Sequence, residues 1–272
     1  MVATTPLCDT QPYARFMRAR RVWAVGAIHG EVDRLMALHA QLAHKLDPGD
    51  RLVYLGNYLG YGPAPAATLD ALILFRRLFL ARKNAFLGDI VFLRGSQEEM
   101  LQKLLELQFA PNPREVLPWI LDHGVDQTLV SYNVQARDGL SACREGVLAL
   151  TRWTASLRAA IDARAGHRQL LGALRRVAMT DEGGVLFVHA GLNPTKPLDL
   201  QGDAFWWSER DILDFASPYA GYARIVRGID RNHGGLRQSR FGVSIDGGSG
   251  FGGTLLAACF GTDGAVVDCI EA

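Results

Sequence analysis

The chain has 272 residues, 49% of them hydrophobic, enough to bury a substantial core and too many for an extended disordered protein. Its 29 basic and 28 acidic residues leave a formal net charge of +1, which offers no electrostatic footprint for nucleic acid or an anionic membrane. The four cysteines, Cys8, Cys143, Cys259 and Cys269, are scattered without a CxxC pair, which argues against a zinc ribbon or a redox dithiol.

In chain order, residues 1–17 lack the apolar run of a secretory leader. The most apolar stretch, 69–80, is broken by Asp70, Arg76 and Arg77 and is too short to span a bilayer. A cytoplasmic protein with reduced thiols is expected, with Cys259 and Cys269 packing as small hydrophobes on neighbouring strands. Residues 21–25 predict a short strand ending at Gly26. Leu35, Leu38, Leu42 and Leu46 then recur at helical spacing until Pro48-Gly49-Asp50 stops the helix. Residues 51–55 predict a second strand, 68–82 a helix, and 90–93 a third strand ending at Arg94-Gly95. Residues 98–176 read as mostly helical, punctuated by Pro111, Pro113, Pro118 and Gly124. A fourth strand at 185–188 ends at His189-Ala190-Gly191, and apolar runs at 224–226, 242–245, 254–260 and 265–270 predict a second sheet. Strand, loop and helix in repetition predict parallel pairing with crossover helices, and ligands collect at the carboxyl ends of such strands. The expected organisation is an N-terminal extension over 1–20 and a single domain over 21–272, with the helical insert at about 98–176.

The loops at those strand ends read GAIHG at 26–30, GNYLGYG at 56–62, GSQE at 95–98 and VHAGL at 188–192. Their order and spacing resembles the calcineurin-like metallophosphoesterases, in the branch of serine/threonine protein phosphatases and bacterial diadenosine tetraphosphatases. The family pattern there is GDxHG, GDxxDRG, GNHE and HAGL. Leu93-Arg94-Gly95 matches the usual lead-in to the third loop, WILDHGVDQTLVSY at 119–132 looks like the family's helical insert, and 244–255 is similar to its final strands. The resemblance runs from about residue 20 to 260. It implies an α/β fold of two mixed sheets packed as a sandwich flanked by helices. It also implies two divalent metals such as Mn, Fe or Zn sharing a bridging carboxylate, with a bound water attacking phosphorus.

Carried over position by position, the resemblance implies a damaged site. Ala27 stands where the first aspartate ligand is expected, while His29 is kept. Asn57 takes the place of the bridging aspartate, Gly60 and Tyr61 that of an Asp-Arg pair, and Ser96 that of an asparagine ligand. Gln97 occupies the position of the histidine that protonates the leaving group, His189 is kept, and Ile229 aligns with the last histidine ligand. An amide does not titrate, a methyl or a sec-butyl group coordinates nothing, and a neutral bridge leaves two dications repelling each other. No resident cofactor is therefore expected; the residual metal candidates are His29, Asn57 and His189, and Asp230 or His233 could replace the lost last ligand.

The reading is a pseudophosphatase, a non-catalytic binding or regulatory protein for an unidentified protein partner or phosphate-containing ligand, with no nucleic acid or membrane indicated. The alternative is a divergent phosphoesterase with a rearranged or single-metal site using His29, Asn57, His189 and Asp230. The expected remnant pocket comprises His29, Asn57, Ser96, Gln97, His189 and Arg94, with Arg94 and Glu98 read chiefly as loop-holding residues and Trp206 and Trp207 as core or groove wall. Protonation of its histidines would make phosphate binding strengthen from about pH 8 to about pH 6.

Overall fold

The computed structural model describes residues 12–208 and 210–272, so Cys8 and the first eleven residues of the expected extension lie outside the description. Strand β1 (Tyr13–Phe16) falls within the segment read as an extension and pairs in parallel with β5 (Val177–Thr180), so the first sheet begins before residue 21. Strand β2 (Val22–Val25) is buried on both faces, as expected of a strand covered by other layers. Strands β3 (Arg51–Tyr54) and β4 (Ile90–Phe92) extend it in parallel, with α1 (Val32–Lys45) and α2 (Pro65–Leu80) as the helices between them and later strands. Helix α2 starts three residues before the periodicity suggests, because Pro65 has no N–H to lose at a first-turn position.

The helical segment comprises α3 (Ser96–Leu105), α4 (Pro113–Ile120), α5 (Asp126–Ser131), α6 (Ala136–Glu145), α7 (Val147–Asp162) and α8 (His167–Gly172). A relay running from the core to the surface ties it to α2: Tyr132 Oη meets His167 Nδ1 at 2.6 Å, and His167 Nε2 meets Asp70 Oδ1 at 2.9 Å. Then follow β6 (Val185–Val188), α9 (Ala204–Trp207), β7 (Arg224–Arg227), β8 (Gly235–Gln238), β9 (Gly242–Asp246), β10 (Leu256–Phe260) and β11 (Val266–Glu271). Among the described residues the strands form two mixed sheets, ordered β1-β5-β6-β7-β9-β8 and β11-β10-β2-β3-β4. No described helix is long and apolar enough to cross a membrane.

Alternation along the strands assigns each side chain to a layer. Val22, Ala24, Val53, Val91, Phe187, Val226, Val243 and Phe260 fill the space between the two sheets. Trp23, Val25, Leu52 and Tyr54 point the other way and pack against α1, α2 and the helical segment. On the outer face of the six-stranded sheet that β1 joins, Met179, Leu186, Val188 and Ile225 meet Phe205, Trp206 and Tyr219. The result is a sandwich of two mixed sheets flanked by helices. Cys259 and Cys269 stand on paired strands but face Asp268 and Ala258 respectively, and both thiols are free.

Strands β2, β3 and β4 run parallel, as do β6, β7 and β9, and their carboxyl ends meet at one edge. The backbone shows the meeting directly: Ala27 N–H donates to the Gly228 carbonyl at 2.9 Å, and His189 Nδ1 contacts the Leu55 carbonyl at 2.7 Å. Gly26 has no room for a side chain, since a Cβ there would overlap the Ile245 carbonyl.

One side chain fixes two of these loops. The Glu98 carboxylate, buried at the start of α3, accepts from the backbone N–H groups of Asn57 (2.9 Å), Tyr58 (2.8 Å), Leu59 (3.2 Å) and Gly95 (2.9 Å). Burial pushes its carboxyl up, against the pull of those four donors. In Glu98→Gln the amide sets an N–H against donors that need an acceptor, so we expect a stability loss of about 3 kcal/mol. Urea unfolding of the variant measures it; a midpoint shift equivalent to less than about 1 kcal/mol at unchanged slope would refute the role.

Candidate functional site

The strand ends enclose a cleft of about 520 Å³ lined by Asn57, His29, Ser96 and Gln97 among others, with Tyr61, Trp119, Trp206, Trp207 and Phe251 as walls. His29 and Asn57 both hold left-handed backbones, φ +54° and +55°, a conformation for which asparagine and histidine are enriched among residues with side chains. Gly60 sits at φ +88°, which disfavours a side chain, and a Cβ there would displace the Gln97 amide. Four of the six expected pocket residues therefore line one cavity. His189 lies beneath it, fully buried, and Arg94 lies outside it, paired with Glu99 at 3.2 Å. The Arg94 carbonyl accepts from Trp206 Nε1 at 3.1 Å, so this residue fixes the wall and does not face the cleft.

The orientation of Asn57 decides what the site can hold. Its Oδ1 accepts from the Gln97 backbone N–H at 3.0 Å and from Ser96 Oγ at 3.1 Å. A backbone N–H can only donate, so the amide oxygen must face α3. The amide nitrogen is thereby turned to His29 Nε2, at 3.3 Å, and that ring nitrogen accepts. At the position to which the resemblance assigns a bridging anion, the chain presents a hydrogen-bond donor. Ser96 has spent its hydroxyl proton on the same oxygen.

Gln97, in the place of the proton donor, is a strut: its Nε2 donates to the His123 carbonyl at 2.8 Å and its Oε1 is buried against Gly60 without a partner. Tyr61 packs its ring against Gly124, whose φ of +92° breaks the helical run between α4 and α5. Ala27 is buried and Ile229 lines the cleft, neither offering a donor. Asp230 does not step in as a ligand, because Arg227 (3.4 Å) and Arg237 (3.3 Å) hold its two oxygens. His233 is likewise engaged, its Nδ1 at 2.9 Å from the buried Asp246 carboxylate, which also accepts from the Asp230 and Gly248 N–H groups. His189 alone keeps the geometry of a metal ligand. Its Nδ1 proton is fixed on the Leu55 carbonyl and its buried Nε2 lone pair is unpartnered. Among the described residues no three or more His, Cys, Asp or Glu side chains gather as a metal-holding group. This donor set does not fit a two-metal centre.

The sequence reading missed the polar wall at the far side of the cleft. Arg227, buried, bonds Asp211 at 3.0 Å, Asp230 at 3.4 Å and Ser244 Oγ at 3.1 Å. Spacing gives no hint that these four residues from separate segments converge.

Burial holds both remnant histidines neutral. Desolvation, with His189 and His233 nearby, pushes His29 down to about 3, and desolvation pushes His189 down to about 4 against the support of the Leu55 carbonyl. For phosphate binding to strengthen between about pH 8 and pH 6, the bound anion would have to raise these rings well above those values.

Comparison with known proteins follows the same division between fold and chemistry. No family profile and no curated protein matches the sequence. Solved structures do. The chain is similar to a candidate diadenosine tetraphosphatase, at 18% identity and a TM-score of 0.56 over 96% of this chain and 98% of that one. It is similar to a serine/threonine phosphatase from Saccharomyces cerevisiae resembling human PP5, at 12% identity and a TM-score of 0.54 over 97% and 84%. A mutant form of a cold-active protein tyrosine phosphatase follows, at 14% identity and a TM-score of 0.51 over 96% and 85%. At such identities the likeness concerns the fold alone.

The buried histidines make stability depend on pH. His29 and His189, with His39 similarly pushed down to about 3 by burial, bind fewer protons folded than unfolded at mildly acidic pH. Their contribution is full above the unfolded value of about 6.5 and is lost as pH falls, by roughly 1 kcal/mol per pH unit for each ring. Urea unfolding near pH 7 and near pH 5 should show a loss of several kcal/mol; equal stability at both would contradict the burial argument.

Proposed function

We propose that this chain, which has the fold of the calcineurin-like metallophosphoesterases, is a pseudophosphatase: a binding protein that uses the cleft without hydrolysing phosphate esters. The observation that carries this reading is the Asn57 amide, whose oxygen is committed to α3 and whose nitrogen faces the histidine that a metal would need. Water without a bound metal keeps a pKa near 15.7, so no hydroxide nucleophile forms at neutral pH. Gln97 supplies no proton to a leaving group, and its side chain is tied to His123. The second reading, a divergent phosphoesterase with a single metal, is favoured by one feature, the free Nε2 lone pair of His189.

Elemental analysis after dialysis against trace Mn²⁺, Zn²⁺ or Fe²⁺ separates the two readings. Well below one metal per chain is expected; two equivalents surviving desalting would sink the proposal, and one equivalent lost on His189→Ala would favour the second reading. Hydrolysis of p-nitrophenyl phosphate with added Mn²⁺ is expected to stay at buffer background.

Restoring the first aspartate alone, in Ala27→Asp, should leave hydrolysis at that background, because groups that act as a unit are not additive. Turnover proportional to the concentration of this single variant would show that the rest of the site is still competent.

A further inference from the structure

We propose that the cleft seats a small planar aromatic ring bearing an anionic group, with the ring inward and the anion at the rim. This rests on the binding reading above and assigns its ligand class. Two stacked aromatic pairs from separate parts of the chain line the cleft. Trp119, near the end of α4, stacks on His123 with centroids 4.2 Å apart and planes 30° apart. Phe251, after β9, stacks on His233, after β7, at 4.5 Å and 25°. Trp119 and Phe251 are 46% and 48% exposed, so large apolar faces stay in water at the edge of a concave site. A planar ring entering the cleft can stack on these exposed faces, an interaction that tolerates varied ring substituents.

Charge fixes which end goes in. The deep cation, Arg227, is already balanced by Asp211 and Asp230, and Asp230 is shared with Arg237. An anion placed beside them would lose its water and meet two carboxylates without an uncommitted counter-ion. The groups at the floor, Asn57, Ser96 and Gln97, are uncharged. Arg231 differs. It lines the cleft, is exposed, and makes no ion pair with any described residue. An anion there keeps its solvent and gains a charge-assisted hydrogen bond. Ring-inward seating reverses the arrangement that a metal-bearing floor would impose, where the anion must go deepest.

Calorimetric titration and saturation-transfer NMR in EDTA test this with three probes: phenylphosphonate (ring and anion), methylphosphonate (anion alone) and benzyl alcohol (ring alone). Phenylphosphonate is expected to bind, with saturation transferred to its ring protons, and methylphosphonate in large excess should not displace it. Trp119→Ala and Phe251→Ala should each weaken phenylphosphonate roughly 5- to 100-fold. Arg231→Gln should weaken phenylphosphonate several-fold and leave benzyl alcohol unchanged. Displacement by methylphosphonate, indifference to Arg231→Gln, or no binding of phenylphosphonate at millimolar concentration would each overturn the proposal. Because EDTA is present throughout, the outcome is separable from the function proposed above. Metal uptake with hydrolysis would sink the binding-protein reading and leave this seat standing, whereas a failed titration would leave the metal result untouched.

Discussion

The site depends on one buried carboxylate. Glu98 gathers the N–H groups of three consecutive residues after β3 and one after β4, and by capping its own helix it fixes where the first turn of α3 points. From that follows the direction of the Gln97 N–H, from that the direction of the Asn57 amide, and from that the donor presented to His29. The chain is a sequence of consequences, each set by a group that can only donate or only accept. None of its links involves a metal. The loop arrangement is therefore held by hydrogen bonds from backbone N–H groups to the Glu98 carboxylate and the Asn57 amide.

Much of the fold was legible because apolar runs, glycines at strand ends and leucine periodicity coincide with layers that bury one face each. The strands at 51–54, 90–92 and 185–188 lie within a residue of where those signals put them. What escaped was short and polar. Strand β1 is Tyr-Ala-Arg-Phe and β8 is Gly-Leu-Arg-Gln, edge strands whose charged or flexible residues face water and carry no alternation long enough to read. Strand β5, Val-Ala-Met-Thr, gave no such excuse in its composition, but four residues behind a helical tract do not announce a change of period.

The candidate site divided in the same way. Loop order placed His29, Asn57, Ser96 and Gln97 in one cavity, since each follows a strand whose carboxyl end reaches the same edge. Orientation was not legible: an asparagine reads as a weak ligand until the donor that claims its oxygen is seen. Nor was the Arg227 wall, whose partners are separated by up to 17 residues and chosen by the packing of β7 against β9. Arg94 was read chiefly as a loop-holding ion-pairing residue beside the pocket, and its guanidinium does pair, with Glu99 at 3.2 Å.

The residues that line and brace the cleft also fit one another. Gln97 fills the volume that a side chain at position 60 would need, and its amide nitrogen holds the carbonyl of His123. The turn so held carries Gly124, against which Tyr61 lays its ring, and Tyr61 in turn packs on His29 at 5.3 Å and Phe251 at 4.6 Å. An aspartate at position 60 would collide with Gln97 on a backbone of φ +88° that already disfavours any side chain. A histidine at position 97 would abandon the tie to His123. Changing either residue alone costs packing, so the two positions behave as a coupled set. A cleft braced by such mutual dependence has an aromatic surface of its own, and its selectivity follows from the residues that line it.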